Sequence, residues 1–338
     1  MKPLSRWCSR WLASDLRATL HAALCAALCA SAVCGPAFGQ AYPQRPIRVV
    51  THSAPGGFEL YIRIIAPKLS EALGRPVVVE NKVGANGNLA MLDVARAPAD
   101  GYTLLFAATG ALTINSSIYD QNPVDPIAEL DPVAMVATVP MIWVAGPKSG
   151  INTLSDYVQR ARASPGRVNF ALAANGSLNH LVYEGLKQAN KLDLATIAYK
   201  STPGAQQDVI GGTVPVMVDS MGAAMGHIRG GSLLLLAVTT KARVEAFPNV
   251  PTVIELGFDN REYLGWYGVL APKGTPAAIA LRLNAEIIKA LQAPEIVEKV
   301  KALGAAPAAG SAEQFRAFML EERAKWGAIA RTANIKLQ

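Results

Sequence analysis

The chain lacks several features that disulfide-stabilised or thiol-dependent proteins need. It has 338 residues, and all four cysteines lie among the first 34. Charged residues make up only 17% of the chain, and its glycines and prolines follow no period. The cysteine distribution excludes disulfides, thiol catalysis and Cys-ligated zinc from everything after Cys34. The composition also argues against disorder, collagen-like repeats and coiled coil.

The sequence also lacks the short motifs that mark common enzymes and metal sites. It contains no H-E-x-x-H, G-x-S-x-G, G-x-G-x-x-G or Walker loop, and His52, His180 and His227 lack the spacing of paired metal ligands. We therefore expect no metal and no cofactor, and we predict that the protein is not an enzyme. The alternative is an exported hydrolase using Ser177 and His180 with Asp219, but no nucleophile elbow supports it.

The first 39 residues are typical of an export signal. Basic residues from Lys2 to Arg17 precede the apolar run Ala18–Val33, and small residues then extend to Gly39. The run is shorter than the ~20 apolar residues that a membrane span needs, so a cleaved signal is favoured over an anchor. We expect residues 1–39 to be a signal peptide cleaved near Gly39, and the mature protein to reside in the periplasm.

Removal of this segment changes the meaning of the net charge. The whole chain carries +7, but the segment holds four cations and the single anion Asp15, so the mature chain carries +4. A mildly basic protein of this kind suits small anions. We expect no nucleic-acid partner.

After Pro46, short β-branched segments alternate with segments of helical periodicity. Strands are predicted at 47–50, 77–79, 103–107, 168–172, 196–199, 214–218 and 233–238, and helices at 60–73, 89–97 and 178–189. The last seventy residues are helical: Ile279, Leu283, Ile287 and Leu291 belong to one apolar stripe, and Ser311 and Gln314 have capping-box spacing. This alternation indicates an α/β fold with mostly parallel sheets.

Two apolar segments, Val136–Gly146 and Tyr263–Pro272, are candidates for strands that cross between lobes. On that interpretation lobe one is discontinuous and comprises residues 46–145 and 265–338, while lobe two comprises residues 146–264. A ligand would then lie between the lobes, at the carboxyl ends of the strands.

Small and polar residues follow four of the predicted strands. These segments are Ala54–Glu59, Thr109–Ala111, Asn175–Ser177 and Asp219–Ser220. Glycines at strand–helix junctions expose backbone N–H groups, and hydroxyls add further donors, so both suit an anion. Each turn taken alone is as well explained by an ordinary strand–helix connection. Four such turns together predict a polar cleft, and Ser177 is also placed to cap the following helix.

Seven segments resemble the Bug family of periplasmic solute receptors, which serve tripartite tricarboxylate transporters. They are YPQRPIRVV (42–50), APGGFE (54–59), LGRPVVVENKVGANGN (73–88), ADGYTLL (99–105), AANGSLNH (173–180), YKS (199–201) and LAPKGTPA (270–277). The resemblance covers nearly the whole mature chain. It implies a two-lobed periplasmic binding protein type II fold, in which each lobe is a mostly parallel sheet flanked by helices and two crossing strands join the lobes.

The resemblance also implies a ligand site made from both lobes. In such receptors the first strand–helix loop holds one carboxylate, partly through ordered waters, and the second lobe reads the rest of the ligand. The ligand-binding residues implied by the matching motifs are Ala54, Gly57, Phe58, Glu59, Thr109, Gly110, Ala111, Asn175, Ser177, His180, Tyr199, Ser201, Asp219 and Ser220.

The sequence departs from the family pattern at two points. The usual first loop, Pro-Gly-Gly-Gly-Thr/Ser-Asp, is one residue shorter here, so Phe58 and Glu59 follow the glycine pair. Phe58 would add an aromatic wall that favours a flat or partly apolar ligand, whereas Glu59 would either replace the usual Asp or repel a second carboxylate. Ser201 stands where glycine is common and either adds a donor or faces solvent. Asp219 suits an amine-bearing ligand or a helix cap equally.

The expected function is that of a monomeric extracytoplasmic receptor. It would bind a small organic anion (a carboxylate, amino acid or aromatic acid) between its lobes and deliver it to the membrane subunits of a tripartite tricarboxylate-type transporter. The alternative is a periplasmic input protein that presents a similar ligand to a signalling receptor.

Overall fold

The computed structural model describes residues 42–54 and 57–337, and the predicted export signal lies outside them. Residues from Arg45 onward form one unit. The strands are β1 Ile47–Thr51, β2 Val77–Asn81, β3 Thr103–Ala108, β4 Leu130–Ala145, β5 Asn169–Ala173, β6 Ala195–Tyr199, β7 Val216–Ser220, β8 Leu234–Val238, β9 Leu264–Pro272 and β10 Ala306–Pro307. The helices are α1 Glu59–Leu73, α2 Asn88–Ala95, α3 Asn115–Ile118, α4 Pro126–Glu129, α5 Leu154–Ala163, α6 Leu178–Asn190, α7 Thr202–Gly211, α8 Met221–Arg229, α9 Ala277–Gln292, α10 Pro294–Ala302 and α11 Ala312–Thr332.

A single mixed sheet runs through this unit in the order β2-β1-β3-β9-β4-β7-β5-β6. β1 is parallel to β2 and β3, and β5 is parallel to β6 and β7, whereas β4 and β9 run antiparallel to their neighbours. The α/β architecture predicted from the sequence is confirmed as a mixed sheet, in which parallel strand pairing, among the described residues, is confined to β1–β3 and β5–β7.

β4 is long enough to take part in both ends of this sheet. Its residues Leu130–Pro140 pair with β9, and Met141–Ala145 pair with β7 and β8. We call β1–β3, β9, β10 and the start of β4 the first half, and β5–β8 with the end of β4 the second half. The backbone therefore passes from one half to the other without leaving the sheet.

Each half has a hydrophobic core of its own. The first core includes Val50, Leu105, Trp266 and Phe315, and the second includes Trp143, Phe170, Tyr183 and Val218. The second core also takes in Ile114, Ile118, Trp326 and Ile329, which come from the segment after β3 and from α11. The core-facing role predicted for the helical stripe is confirmed for Leu283, Ile287 and Leu291, which are buried, whereas Ile279 at the start of the stripe is half-buried.

Glu322 on α11 joins the two cores. Its carboxylate is buried and accepts hydrogen bonds from Trp266 Nε1 at 2.9 Å and Trp326 Nε1 at 2.8 Å. Buried indole N–H groups need such partners, so this carboxylate satisfies one tryptophan from each core. Among the described residues, no helix has the length and apolar character of a membrane span.

Candidate functional site

The predicted site residues form two groups, one at the carboxyl edge of each half. Thr51 of β1 pairs with Phe106 of β3, so the loops after these strands lie side by side. Ala173 of β5 pairs with Tyr199 of β6, and β5 also pairs with β7. The first-half group is Ala54, Gly57, Phe58, Glu59, Thr109, Gly110 and Ala111, and the second-half group is Asn175, Ser177, His180, Tyr199, Ser201, Asp219 and Ser220.

Glu59 begins α1 and stabilises the loop that precedes it. The carboxylate is buried, accepts a 2.6 Å hydrogen bond from Ser53 Oγ and lies 4.0 Å from Arg63 Nε. Gly57 N donates to the carbonyl of the exposed Ala54 at 3.0 Å. An acidic residue in the first turn is favourable beside the positive end of the helix dipole. The Glu59 carboxylate is therefore bonded to groups of its own half.

Phe58 lies in an aromatic group rather than standing alone as a wall. Its half-buried ring stacks on Tyr267, with 5.0 Å between centroids and 4° between planes. It also contacts His52 at 4.8 Å and Phe106 at 5.9 Å, and Tyr267 stacks in turn on Tyr61 at 5.0 Å. Offset and tilted pairs at these distances are attractive. We call these five residues the aromatic group.

Sequence reasoning missed every member of this group except Phe58. The spacing of Phe58 and Tyr61 at the start of a helix is a usable signal, because residues three apart share a face. Nothing in the local sequence pairs Tyr267 with them, since it comes from a distant strand.

His52 follows β1 and is neutral at pH 7. Its Nε2 accepts a hydrogen bond from Ala108 N at 3.3 Å, which joins the loops after β1 and β3. Burial lowers the pKa of His52 to about 4. The ring thus serves as an acceptor and an apolar contact, not as a cation for an anionic ligand.

Thr109 holds β9 against the end of β3. Its buried Oγ1 donates to Trp266 O at 3.1 Å and accepts from Trp266 N at 2.8 Å. The half-buried Gly110 begins a short helical turn, and Ala111 behind it is buried. The Thr109 hydroxyl is therefore used within the protein, and Gly110 is the more accessible part of this segment.

Ser177 caps α6, as predicted from its position. Its Oγ accepts from His180 N at 3.3 Å and donates to Ala173 O at 2.8 Å. The Nδ1 atom of His180 accepts a different bond, from Gly176 N at 3.1 Å, and burial lowers the pKa of His180 to about 4. The Ser177 hydroxyl thus bonds to backbone groups and not to the imidazole, which gives the hydrolase alternative no support. Asn175 is exposed on the preceding turn.

Tyr199 and Ser201 differ in how far their hydroxyls are engaged. Tyr199 Oη donates to Asp208 Oδ2 at 2.6 Å, and desolvation together with this bond raises the pKa of Tyr199 to about 12. Ser201 precedes α7, is exposed and makes no side-chain cap bond. Of the two, Ser201 is the accessible donor.

The cap of α8 is Ser220 rather than Asp219. Ser220 Oγ accepts from Ala223 N at 3.4 Å. Asp219 is buried and accepts from Gln206 Nε2 and from Ser220 N, each at 2.7 Å. Burial raises the pKa of Asp219 to about 7. Both residues end β7 instead of following it, because the strand lies two residues later than predicted.

The two halves contact each other where α8 meets the turn after α10. Tyr61 Oη of the aromatic group donates to Leu303 O at 3.1 Å. On α8, two residues after Ser220, a Cβ on Gly222 would lie 2.6 Å from that same oxygen. Through Leu303 O, α1 is therefore linked to the helix that Ser220 caps.

A cavity of about 980 Å³ lies beside this contact and is lined in part by Met221, Met225, Lys301 and Gly304. None of the predicted ligand residues lines it. The part of the chain that the structure describes holds no group of His, Cys, Asp and Glu side chains suited to a metal ion.

The chain superimposes on the structure of the periplasmic binding protein BugD with a TM-score of 0.75 at 31% identity, covering 88% of this chain and 100% of that one, so its two half-sheets with a shared long strand have the fold of a periplasmic binding protein. The model of the tripartite tricarboxylate transporter family receptor matches residues 61–335. The chain is also 37% identical over 299 residues to Protein BugT of Bordetella pertussis, covering 88% of this chain and 92% of BugT. The chain therefore belongs to this receptor family, and the Bug resemblance is confirmed.

Solved structures agree with this assignment. A protein of R. palustris with adipate superimposes with a TM-score of 0.79 at 30% identity, covering 87% of this chain and 99% of that one. MatC from Rhodopseudomonas palustris with bound malate superimposes with a TM-score of 0.74 at 26% identity, covering 85% and 99%. The family is one of periplasmic solute-binding receptors.

Proposed function

We propose that this protein binds a small carboxylate between two lobes and delivers it to the membrane subunits of a tripartite tricarboxylate-type transporter. The observation that carries the proposal is that two relatives of the same fold hold dicarboxylates, adipate and malate, and align over at least 85% of this chain. The receptor works as an exported, monomeric periplasmic protein after cleavage near Gly39. It is a binding protein and performs no catalysis.

The lobes proposed for this mechanism are residues 46–145 with 265–338, and residues 146–264. β4 and β9 connect the two lobes. Because the ligand contacts both lobes only when they are closed, it stabilises the closed arrangement over the open one. On this proposal, the first-half and second-half groups face each other across the ligand.

The groups proposed to touch the ligand are those that the protein's own bonding leaves accessible. Asn175 and Ser201 are exposed at the second-half edge, and Phe58 and Gly110 are half-buried at the first-half edge. Neutral donors such as the Asn175 amide and the Ser201 hydroxyl hold an anion without a fixed cation and allow release to the transporter. The buried, internally bonded members, such as Thr109 and His180, position these groups.

A thermal-shift screen followed by calorimetry tests the ligand class. The panel contains malate, adipate, aromatic carboxylates and amino acids, because a ligand at 100 times its Kd adds ~2.7 kcal/mol to stability. At least one carboxylate is expected to raise the unfolding temperature. A panel in which none binds would contradict the proposal.

A pair of charge variants tests where the anion lies. Asn175→Asp places a negative charge at the second-half edge, whereas Asn249→Asp adds the same charge to another exposed asparagine, between β8 and β9. We expect about tenfold weaker binding for the first and wild-type affinity for the second. Equal affinities would place the carboxylate elsewhere.

Delivery is tested by uptake. Cells lacking the receptor are expected to lose import of the carboxylate that the screen identifies, and the plasmid-borne wild type restores it. Unchanged import together with a lost transcriptional response to the same ligand would instead support the sensing alternative.

A further inference from the structure

We propose that Gly222 and Gly304 form a contact without side chains that sets the spacing between the two sides of the ligand site. The inference rests on the proposed function, because it assigns Gly222 as a positioning residue for ligand binding. The two glycines come from different halves: Gly222 lies on α8, and Gly304 lies between α10 and β10.

The contact leaves no room for a side chain on either partner. A Cβ on Gly222 would lie 2.6 Å from Leu303 O, a distance that real Cβ atoms do not tolerate against backbone. A Cβ on Gly304 would lie 3.0 Å from Gly222 N and 3.1 Å from Gly222 Cα, and Gly304 also has a φ of +72°. Glycine suits both the close approach and the left-handed backbone.

On one side, this contact is bonded to the aromatic group. Tyr61 Oη donates to Leu303 O at 3.1 Å, and the Tyr61 ring stacks on Tyr267, which stacks on Phe58. A path of one hydrogen bond and two ring contacts thus runs from the glycine pair to Phe58.

On the other side, the contact lies one helical turn or less from the second-half group. Gly222 is the second residue of α8, and the N-cap Ser220 immediately precedes that helix. Asp219 bonds to Ser220 N, so a shift of the helix start displaces both residues. The closeness of α8 to Leu303 therefore determines how near the second-half group comes to Phe58.

The same helix provides a matched control. Gly226 also lies on α8, but a Cβ there would meet nothing within 4 Å. Gly→Ala within a helix favours folding through backbone entropy to a similar degree at both positions. Gly222→Ala and Gly226→Ala therefore differ mainly in the contact with Leu303.

Affinity is measured by calorimetry with malate and with adipate, alongside the unfolding temperature and the small-angle scattering profile of the ligand-free proteins. We expect Gly226→Ala to bind as the wild type does and Gly222→Ala to bind at least tenfold more weakly. The unfolding temperature of ligand-free Gly222→Ala is expected to stay within a few degrees of the control, whereas a role confined to folding would lower stability and leave affinity unchanged. If Gly222→Ala binds as tightly as Gly226→Ala, the proposal is wrong.

The scattering profile separates this inference from the proposed function. If the wild type binds neither malate nor adipate, a larger radius of gyration for Gly222→Ala than for Gly226→Ala still supports the spacing role, and identical profiles contradict it. Should Gly222→Ala fail to fold, Tyr61→Phe removes only the bond to Leu303 O. That variant is expected to bind several-fold more weakly or, without a ligand, to expand; no change in either property would overturn the inference.

Discussion

The two sides of the candidate site are built from different chemistry. The first side presents stacked rings, with Phe58 and Tyr267 at their centre. The second side presents hydroxyl and carboxyl groups, and most of them are bonded within their own half: Ser177 and Ser220 cap helices, Tyr199 bonds Asp208, and Asp219 bonds Gln206.

This difference separates two tasks. Rings define the shape of a space but offer little direction, whereas hydrogen-bonding groups direct a ligand only when they are not already occupied. On the proposed function, the first side therefore selects the body of the ligand, and the second side orients its polar ends through the few groups that remain accessible.

The largest effect is expected from Glu322, which supports the cores behind both sides. Glu322→Ala leaves the indole N–H groups of Trp266 and Trp326 without their acceptor, and we expect a loss of ~3 kcal/mol in the free energy of unfolding. Urea unfolding measures it. Glu321→Ala is the control, because Glu321 is the exposed neighbour on the same helix. Equal losses for the two variants would show that the carboxylate does not join the cores.

The next effect is the pH dependence that one histidine from each side introduces. The pKa values of His52 and His180 are lowered to about 4 by burial, so the unfolded chain binds more protons than the folded one between pH 6.5 and 4. The stabilisation that depends on the neutral forms of these two histidines is fully present above pH 6.5 and is lost as the pH falls. We expect each histidine to account for ~1–2 kcal/mol between pH 6.5 and 5.

The comparison of sides is made with single variants. Urea unfolding at pH 7 and pH 5 is expected to show a smaller loss in His52→Gln and in His180→Gln than in the wild type. If a variant loses as much stability between pH 7 and pH 5 as the wild type does, the histidine on that side does not contribute to the pH response.

A smaller effect is expected from Phe58, the test of the aromatic side. Phe58→Ala removes contacts with three rings, and we expect about tenfold weaker ligand binding while the protein still folds. Phe58→Leu keeps much of the side-chain volume but not the stacking, so its ligand affinity is expected to lie between those of the wild type and Phe58→Ala. Unchanged affinity in the alanine variant would refute the selecting role of this side.

The smallest effect is expected from Asp219 on the hydrogen-bonded side. Burial raises its pKa from 3.8 to about 7, so the folded state binds more protons than the unfolded one between these values, and the contribution to stability falls as pH rises through that range. Asp219→Asn removes this fall, and we expect it to gain ~1 kcal/mol relative to the wild type between pH 6 and pH 7. If Asp219→Asn instead loses stability relative to the wild type as the pH rises, the carboxylate is stabilised in its charged form.

The sequence predicted those parts of the molecule that short segments determine. β-Branched runs such as Val77–Val79 located strands within two residues, and the cap at Ser177 and the capping box of Ser311 and Gln314 were predicted from spacing and are present. Helix α7 was missed, because its sequence TPGAQQDVIG contains proline and two glycines and has no clear apolar stripe.

The rest depends on contacts between distant segments. Phe58 meets Tyr267, and Gly222 meets Gly304, only because the sheet order places β9 beside β3 and α8 beside the turn after α10. The hydroxyls also looked equivalent in sequence, yet Thr109 is bonded to Trp266 while Ser201 is exposed. Such differences follow from tertiary packing and leave no local pattern.

The length of β4 has a consequence for how this chain can vary. Side chains alternate between the two faces of a strand, so deleting one residue reverses every position beyond the deletion. In β4 the reversal would reach β9 and β10 in the first half and β7 and β8 in the second, because all of them pair with this strand. Single-residue insertions and deletions in Leu130–Ala145 are therefore expected to abolish folding.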